Sequence, residues 1–256
     1  MITATANSLP LTHTVAPENE AALIDAVQQA HADSTPVYPI GGGTSLDYGL
    51  PPRQPGMGLS LTGFNRVIDY PARDMTITIE AGITMGRLAQ TIAAEGQRLP
   101  IDVPSAEQAT LGGVIATNFS GPRRYGMGTI RDYVIGIAAV DGRGTLFHGG
   151  GRVVKNVAGY DFCKLLTGSL GTLGVISQVT LKVRPRPEAC ALVACGFADV
   201  QRAEPLLAAL VTSRTAPTAI ELLTGPAWEQ DTAFQHGPGF PVSLVVGFEG
   251  TALEVA

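Results

Sequence analysis

Three consecutive glycines, Gly41–Gly43, follow a short apolar run and constrain the fold of this chain more than any other feature. Glycine packs no side chain and loses more conformational freedom on folding than other residues, so three in a row need a compensating interaction. Successive glycine amides can turn inward without steric cost, and the Thr44 and Ser45 hydroxyls add donors. The segment therefore predicts either an anion cradle or a tight turn between strands.

Two further glycine-rich segments favour the cradle. Thr110 precedes Gly112 and Gly113 at a predicted helix start, where free backbone amides attract a phosphate or a flavin carbonyl. At residues 168–176, GSLGTLGVI places glycines before a predicted strand, where main-chain groups can read an adenine edge. Close helix–strand packing is the alternative for the Thr110 segment. Three such segments in one domain indicate a long, extended ligand that contacts backbone throughout.

Several ligand and partner classes are excluded or disfavoured. Because no Gly-Lys pair occurs, a P-loop is excluded, and no strict GxGxxG opens a helix. With 17 Lys and Arg against 22 Asp and Glu, the net charge is −5, which argues against a nucleic-acid partner. Cys163, Cys190 and Cys195 show no paired or metal-ligand spacing. We therefore expect a reduced, cytoplasmic setting, no metal site and no iron–sulfur cluster in this chain.

The order of periodic segments predicts an α/β unit followed by strands and hairpins. A strand at 12–16, an amphipathic helix opened by Pro17 and a strand at 37–40 form a βαβ-like unit. The glycine loop then lies at a carboxyl strand end, where open α/β sheets bind ligands. Further predictions are strands at 58–61, 66–69, 75–80 and 175–184, a helix capped by Thr84 and ended by Gly96, and a hairpin turning at Asp141-Gly142.

The composition changes after residues 185–187. A strand at 190–197, a helix at 199–212 and a strand at 242–248 begin a new pattern, which stops as another helix starts. We expect residues 188–256 to be an incomplete α+β cap or substrate domain of a truncated polypeptide. The first fifteen residues have neither the basic nor the apolar segment of a signal peptide, and no run reaches the length of a membrane span. Direct membrane insertion is not expected.

Several segments together carry a family resemblance. PIGGGTSL, EAGITMGRL, VPSAEQATLGGVIATNFSGPRRYG, VKNVAGYD and GSLGTLGVI, in this order, resemble the FAD-linked oxidases of the vanillyl-alcohol-oxidase type, over roughly residues 12–186. The resemblance implies an α+β fold with a PCMH-type FAD-binding domain at 1–187. Its two α/β subdomains would cover about 1–70 and 71–187, with the cap domain following at 188–256.

The same resemblance implies the residues that contact FAD. In this family the first glycine loop and the TLGG segment hold the pyrophosphate, and the TNFSG and GTLGVI regions approach the flavin and adenosine portions. The implied contacts are Ile40, Gly41, Gly42, Gly43, Thr44, Ser45, Pro104, Thr110, Leu111, Gly112, Gly113, Ala116, Asn118, Gly121, Tyr125, Gly174, Val175 and Ile176. Members with covalent flavin carry a histidine near the first loop, where Thr44 stands, so FAD is expected to be held non-covalently.

Within the family, SGPRRYGMGTIRDYVIGI and GGRVVKNVAGYDFCKLLTGSLGTLG resemble the E-type subunits of glycolate oxidase. Catalytic D-type subunits carry the motif GSEGTLG, whereas this chain reads GSLGTLG, with Leu170 in place of the glutamate. The resemblance implies a subunit that oxidises a small 2-hydroxy acid (glycolate to glyoxylate) in a complex with a catalytic FAD subunit and an electron-accepting iron–sulfur subunit. Any membrane association would come through those partners. Two alternatives are a non-catalytic assembly subunit and a less favoured MurB-like reductase.

No catalytic base is assigned. Oxidising a 2-hydroxy acid needs a base for the hydroxyl proton, a cation for the carboxylate and flavin N5 as hydride acceptor. The four histidines do not pair at ligand spacing: His13, His31, His148 and His236. Three arginines could hold the flavin phosphates, the substrate carboxylate or a partner subunit: Arg123, Arg124 and Arg131. The alternative is that they form exposed salt bridges with residues such as Asp132. Lys155, Asn156 and Asp161 are predicted loop scaffolding, with Asp161 a helix N-cap, and Met127 packs near the flavin or in the core.

Overall fold

The computed structural model describes residues 9–151, 159–229 and 240–256. Its strands are β1 (Leu11–Val15), β2 (Val37–Ile40), β3 (Gly56–Ser60), β4 (Val67–Asp69), β5 (Thr76–Glu80), β6 (Gln97–Arg98), β7 (Val134–Val140), β8 (Leu146–Gly150), β9 (Val175–Lys182), β10 (Arg184–Pro185), β11 (Ala189–Phe197), β12 (Ala219–Thr224) and β13 (Val242–Gly250). Its α-helices are α1 (Glu20–Ala32), α2 (Met85–Ala93), α3 (Leu111–Thr117), α4 (Arg124–Met127), α5 (Phe162–Leu166), α6 (Val200–Thr212), α7 (Pro226–Glu229) and α8 (Ala252–Val255).

The chain divides into two compact units. Unit 1 comprises Met1–Leu99, Val103–Phe119 and Thr129–Pro185, and unit 2 comprises Pro100–Asp102, Ser120–Gly128 and Arg186–Ala256. Two short stretches from the first half of the chain thus belong to the same unit as the C-terminal residues. The domain boundaries expected at about residues 70 and 187 stay a prediction. Within the described ranges, no helix combines the length and apolar character needed to cross a bilayer.

The first part of unit 1 is a three-stranded parallel sheet covered by α1. The Asn19 side chain caps α1 by accepting the Ala22 N–H at 3.0 Å. Leu23 and Val27 on α1 are buried and pack with Leu59 of β3, which confirms the predicted amphipathic helix. The strand order is β1-β3-β2, so β3 lies between the two strands that the sequence predicts as neighbours. The glycine loop follows β2, as predicted.

The rest of unit 1 is built on a five-stranded antiparallel sheet of order β4-β5-β9-β7-β8. β5 forms as its alternating sequence predicts, with Ile77 and Ile79 fully buried and Thr78 and Glu80 on the other face each 6% exposed. Thr84 caps α2 by accepting the Arg87 N–H at 3.2 Å. The hairpin of β7 and β8 is confirmed, with a turn wider than a two-residue loop. Asp141 holds it by accepting the N–H groups of Arg143 and Thr145, both at 2.8 Å.

Unit 2 contains an antiparallel sheet of order β11-β13-β12. β11 pairs with β13 over its full length, from Ala189 opposite Gly250 to Phe197 opposite Val242. Helix α6 follows β11 and is capped by Asp199, whose side chain accepts the Arg202 N–H at 2.8 Å. The predicted strand, helix and strand of this region are confirmed, and β12 is an added strand that the sequence pattern did not predict.

Candidate functional site

Unit 1 contains a cavity of about 610 Å³ bordered by all three glycine-rich segments. The predicted contact residues that line it are Ile40, Gly41, Gly42, Gly43, Thr44, Ser45, Thr110, Gly112, Gly113, Ala116, Gly174 and Ile176. The carboxyl end of β2, the start of α3 and the start of β9 therefore meet at one place. Segments separated by up to about 130 residues in the sequence form a single concave surface.

The first two glycines of the triple are required by the chain itself. A Cβ on Gly41 would overlap the Thr110 hydroxyl oxygen, and a Cβ on Gly42 would overlap the Gln108 carbonyl group, with the carbonyl carbon only 2.6 Å away. Gly43 has a different reason, because its φ of +71° lies in the left-handed region that favours glycine. Residues 108–110 thus pack so closely on Gly41 and Gly42 that neither position can carry a side chain.

The backbone amides of this first loop are available for a ligand. The N–H groups of Gly41 through Ser45 donate no hydrogen bond to any described residue. They lie beside a cavity, and successive unpaired amides of this kind make an anion-binding concavity. This loop satisfies the physical requirement of the predicted cradle.

The amides at the start of α3 are already used. Leu111 N–H donates to Ile83 O at 2.9 Å, Gly112 N–H to Ala81 O at 2.7 Å, and Gly113 N–H to the Thr110 hydroxyl at 3.4 Å. The prediction of free amides at this helix start is therefore wrong. Instead these bonds fix α3 against the end of β5, so that Gly112 and Gly113 present bare backbone to the cavity.

The third segment docks on the carboxyl end of α3. Gly168 N–H donates to Ile115 O at 2.9 Å, and Leu170 N–H donates to Ala116 O at 2.8 Å. At Gly174 a Cβ would lie 2.9 Å from the Val140 carbonyl oxygen, so this glycine allows the loop to pass close to the end of β7. The loop thereby forms one wall of the cavity.

Other predicted contacts do not line the cavity. Leu111 is fully buried, and Val175 is 5% exposed and belongs to the core around α1. Pro104 and Asn118 are in unit 1 outside the lining, and Asn118 is the left-handed C-cap of α3. Gly121 and Tyr125 are residues of unit 2. At Gly121, whose φ is +69°, a Cβ would lie 2.5 Å from the Asp102 carbonyl oxygen.

Several apolar and aromatic residues of the cavity were missed by sequence reasoning. They are Tyr38, Leu46, Tyr48, Leu50 and Leu170, of which the last four are 38–86% exposed. The Tyr38 hydroxyl donates to the Gln54 carbonyl and ties β2 to the loop beyond Pro52. The available signal was a group of large apolar side chains in one glycine- and proline-rich loop, LDYGLPP, because apolar side chains exposed together mark a binding surface.

The cavity lining that the structure describes includes no histidine and no charged residue, and its titratable side chains are the phenols of Tyr38 and Tyr48. His13, His31 and His148 are exposed, while Lys155, Asn156 and His236 lie outside the described residues.

Burial, with a smaller effect of Asp161, raises the pKa of the Cys163 thiol to about 11, so it is not a nucleophile at neutral pH. Asp161 caps α5, as predicted, by accepting the Lys164 N–H at 2.9 Å.

Arg123 pairs with two carboxylates, neither of which is the Asp132 expected from the sequence. In unit 2 its guanidinium contacts the Asp102 carboxylate, and its Nε donates to Glu249 Oε1 at 2.7 Å. Asp132 instead accepts the Thr129 N–H at 2.7 Å, and this bond, more than any other contact, lowers the pKa of Asp132. Arg123 therefore joins three separate segments of unit 2, whereas the neighbouring Arg124 is exposed.

The sequence profile of the FAD binding domain family matches residues 11–150, more than half of the chain. The chain belongs to this family. FAD is its cofactor, and the predicted α+β fold of the FAD-linked oxidases is confirmed. Among the residues that the structure describes, no three His, Cys, Asp or Glu side chains are placed to hold a metal ion.

Similar proteins agree with this membership. The FAD-binding chain is 37% identical over 169 residues to glycolate oxidase subunit GlcE of Escherichia coli (strain K12), covering 66% of this chain and 48% of that protein. It is 33% identical over 215 residues to a D-lactate dehydrogenase of Archaeoglobus fulgidus, covering 84% and 48%. The solved structure of alkyldihydroxyacetonephosphate synthase superimposes with a TM-score of 0.79 at 25% identity, over 94% of this chain and 48% of that one. The chain spans about half the length of these relatives.

Proposed function

We propose that this chain is the FAD-binding subunit of a glycolate oxidase-type complex. The complex would oxidise a small 2-hydroxy acid, glycolate, to glyoxylate and pass the electrons to an iron–sulfur partner subunit. The observation that carries this proposal is the similarity to GlcE at 37% identity together with the three-loop cavity. Glycolate and D-lactate, which name the related proteins, are both small 2-hydroxy acids. The proposed location is the cytoplasm, with any membrane association through partner subunits.

We assign the FAD site to the cavity of unit 1. The amides of Gly41–Ser45 and the Thr44 and Ser45 hydroxyls would hold the pyrophosphate, because they are donors without a described partner beside an open space. Tyr48, Leu46 and Leu50 offer apolar surface for a ring system. The residues present thus fit a ligand that is anionic in the middle and flat and apolar at its ends.

In this proposal the role of the described residues is to bind and orient the cofactor. When bound, FAD supplies the hydride acceptor for alcohol oxidation. The glycine loop would provide backbone dipoles for an anion beside a mainly apolar lining. Proton transfer needs a group within hydrogen-bond reach of the substrate, and the cavity lining described above supplies no histidine or carboxylate for it.

A second candidate function follows from that uncharged lining. A non-catalytic subunit that binds FAD and assembles the complex would need the cradle but no proton-transfer group. The two proposals differ in whether the flavin on this chain is reduced by substrate. They share the cofactor and the partners, so only a redox measurement separates them.

We expect glycolate to bleach the oxidised-flavin absorbance of the FAD-loaded chain when the catalytic FAD subunit and the iron–sulfur subunit are present. Anaerobic spectra before and after glycolate or D-lactate, with and without the partner subunits, give the measurement. Bleaching by the chain alone would make it an independent dehydrogenase. Flavin on this chain that stays oxidised in every mixture, with the flavin of the catalytic subunit removed, would support the assembly role and contradict catalysis.

FAD should leave the chain completely on denaturation. Thr44 stands in the loop where covalent members of the family carry a histidine, and a threonine hydroxyl forms no flavin bond of that kind. Acid precipitation followed by filtration should place all flavin absorbance in the filtrate. Flavin that stays with the precipitated protein would contradict non-covalent binding.

A further inference from the structure

Leu170 is held in a backbone conformation that side chains disfavour. Its φ is +52°, in the left-handed region, and it lies between Gly168 and Gly171, whose φ angles are +82° and +73°. The hydrogen bonds from Gly168 and Leu170 to the end of α3 fix this conformation. Leucine branches at Cγ and gains nothing locally from such a backbone, so its side chain must make a compensating contact elsewhere.

That contact lies across the cavity. Leu170 and Gly49 both line the cavity, and a Cβ on Gly49 would lie 2.9 Å from Leu170 Cδ1. The leucine methyl group therefore packs on the Gly49 backbone, which is itself left-handed with a φ of +84°. Gly49 belongs to the loop that follows the glycine triple, and the contact joins two walls of the cavity.

The loop around Gly49 has few other attachments. Its described backbone bonds include Tyr48 N–H to Ser45 O at 3.3 Å, and Leu46, Tyr48 and Leu50 are exposed by 38%, 48% and 86%. A loop with exposed apolar side chains and weak internal bonding opens at low free-energy cost. The Leu170 contact is therefore placed to decide how often this wall of the cavity opens.

We infer that Leu170 is a latch that retains FAD by packing on the Gly49 loop. It is a positioning residue, because it acts on the cofactor through the loop, and the inference rests on the proposed placement of FAD in this cavity. The contact with Gly49 holds the Leu170 side chain across the cavity and offsets the backbone strain at Leu170. The latch predicts that alanine and glycine at position 170 release FAD equally fast but differ in the stability of the FAD-free chain.

The test measures FAD release from the full, FAD-loaded chain by the fluorescence of free FAD after dilution. Leu170→Ala should speed release about 5- to 10-fold, as expected for losing one or two partly buried methylene contacts. Leu170→Gly should speed release as much, yet leave the melting temperature of the FAD-free chain about 2–4 °C above that of Leu170→Ala, because both variants lose the contact and only glycine relieves the left-handed strain. Leu173→Ala is the matched control. Leu173 is 48% exposed in the same segment but does not line this cavity.

A double-variant cycle tests the contact itself. Gly49→Ala pushes a methyl group into Leu170 Cδ1, so it should also speed release. Combined with Leu170→Ala, it should add less than its separate effect, because the clash with Cδ1 is gone and only the cost of placing alanine at a φ of +84° remains. Independent multiplication of the two effects, wild-type release from Leu170→Ala, or a melting temperature of Leu170→Gly no higher than that of Leu170→Ala would each overturn the latch. FAD binding that survives Gly42→Ala unchanged would instead count against the placement of FAD in this cavity.

Discussion

Gly42→Ala is expected to weaken FAD binding on the order of 100-fold, which corresponds to about 3 kcal/mol. The added Cβ would overlap the carbonyl group of Gln108, a backbone position that cannot move as a flexible side chain can. Relief requires the first glycine loop and residues 108–110 to separate, and that moves the amides proposed to hold the pyrophosphate. Overpacking of this kind also costs about 2–3 kcal/mol of stability, or roughly 5–10 °C in melting temperature.

Two further glycines separate the causes of this effect. Gly142→Ala lies in the β7–β8 turn, where an added Cβ meets nothing within 4 Å, so neither binding nor melting should change measurably. Gly43→Ala meets only a Leu46 methyl group at 4.0 Å but has a φ of +71°, so its cost, about 1 kcal/mol, is conformational. Titration calorimetry with FAD and thermal melts should show the largest loss of affinity and stability for Gly42→Ala, a smaller loss for Gly43→Ala and the smallest for Gly142→Ala. Equal losses for Gly42→Ala and Gly142→Ala would contradict a close packing of the first glycine loop against residues 108–110.

Arg123→Ala should destabilise unit 2 by about 2–3 kcal/mol, because it removes two ion-pair contacts at once and one partner is a buried carboxylate. The Glu249 side chain is only 5% exposed, whereas Arg123 is 36% exposed, which keeps the estimate below that for a fully buried pair. The chain has a single tryptophan, Trp228, in unit 2, so urea unfolding followed by its fluorescence reports on this unit.

The neighbouring arginine provides the matched control for this variant. Arg124→Ala removes the same charge from an exposed side chain and should change stability by less than about 0.5 kcal/mol. The double variant Arg123→Ala with Glu249→Gln should lose less unfolding free energy than the two single variants lose in sum. The reason is that Arg123→Ala alone leaves an unpaired charge on Glu249, which Glu249→Gln removes. Additive losses would mean that the ion pair contributes nothing to unit 2.

Local patterns predicted the parts of the fold that depend on nearby residues. The periodicity of α1, the alternation in β5 and the capping residues Thr84 and Asp161 are all read from short segments. The position of β3 between β1 and β2 is a long-range pairing that no local pattern encodes. For the same reason, the sequence did not predict that residues 100–102 and 120–128 join the C-terminal unit, and the Arg123 partners were missed.

The predicted site shows where motif reasoning stops. Gly174 and Ile176 line the cavity, but Val175 between them faces the core, because successive residues of a strand point to opposite faces. Leu111 is likewise buried at the start of α3 although it lies within TLGG. A sequence motif includes every residue of a segment, whereas only those residues that the backbone orients toward the cavity can line it. Leu170 was noticed as a departure from a motif, but its contact with Gly49 needs the three-dimensional fold.

The interlock of Gly41 and Gly42 with residues 108–110 has a consequence for the thermodynamics of cofactor binding. Both loops are shaped by contacts within the polypeptide, so the arrangement of the cradle does not depend on the arrival of FAD. A preorganised site loses little binding free energy to ordering its own backbone. The heat-capacity change of FAD binding should then reflect burial of the ring systems, without a contribution from folding of residues 41–42 and 108–110.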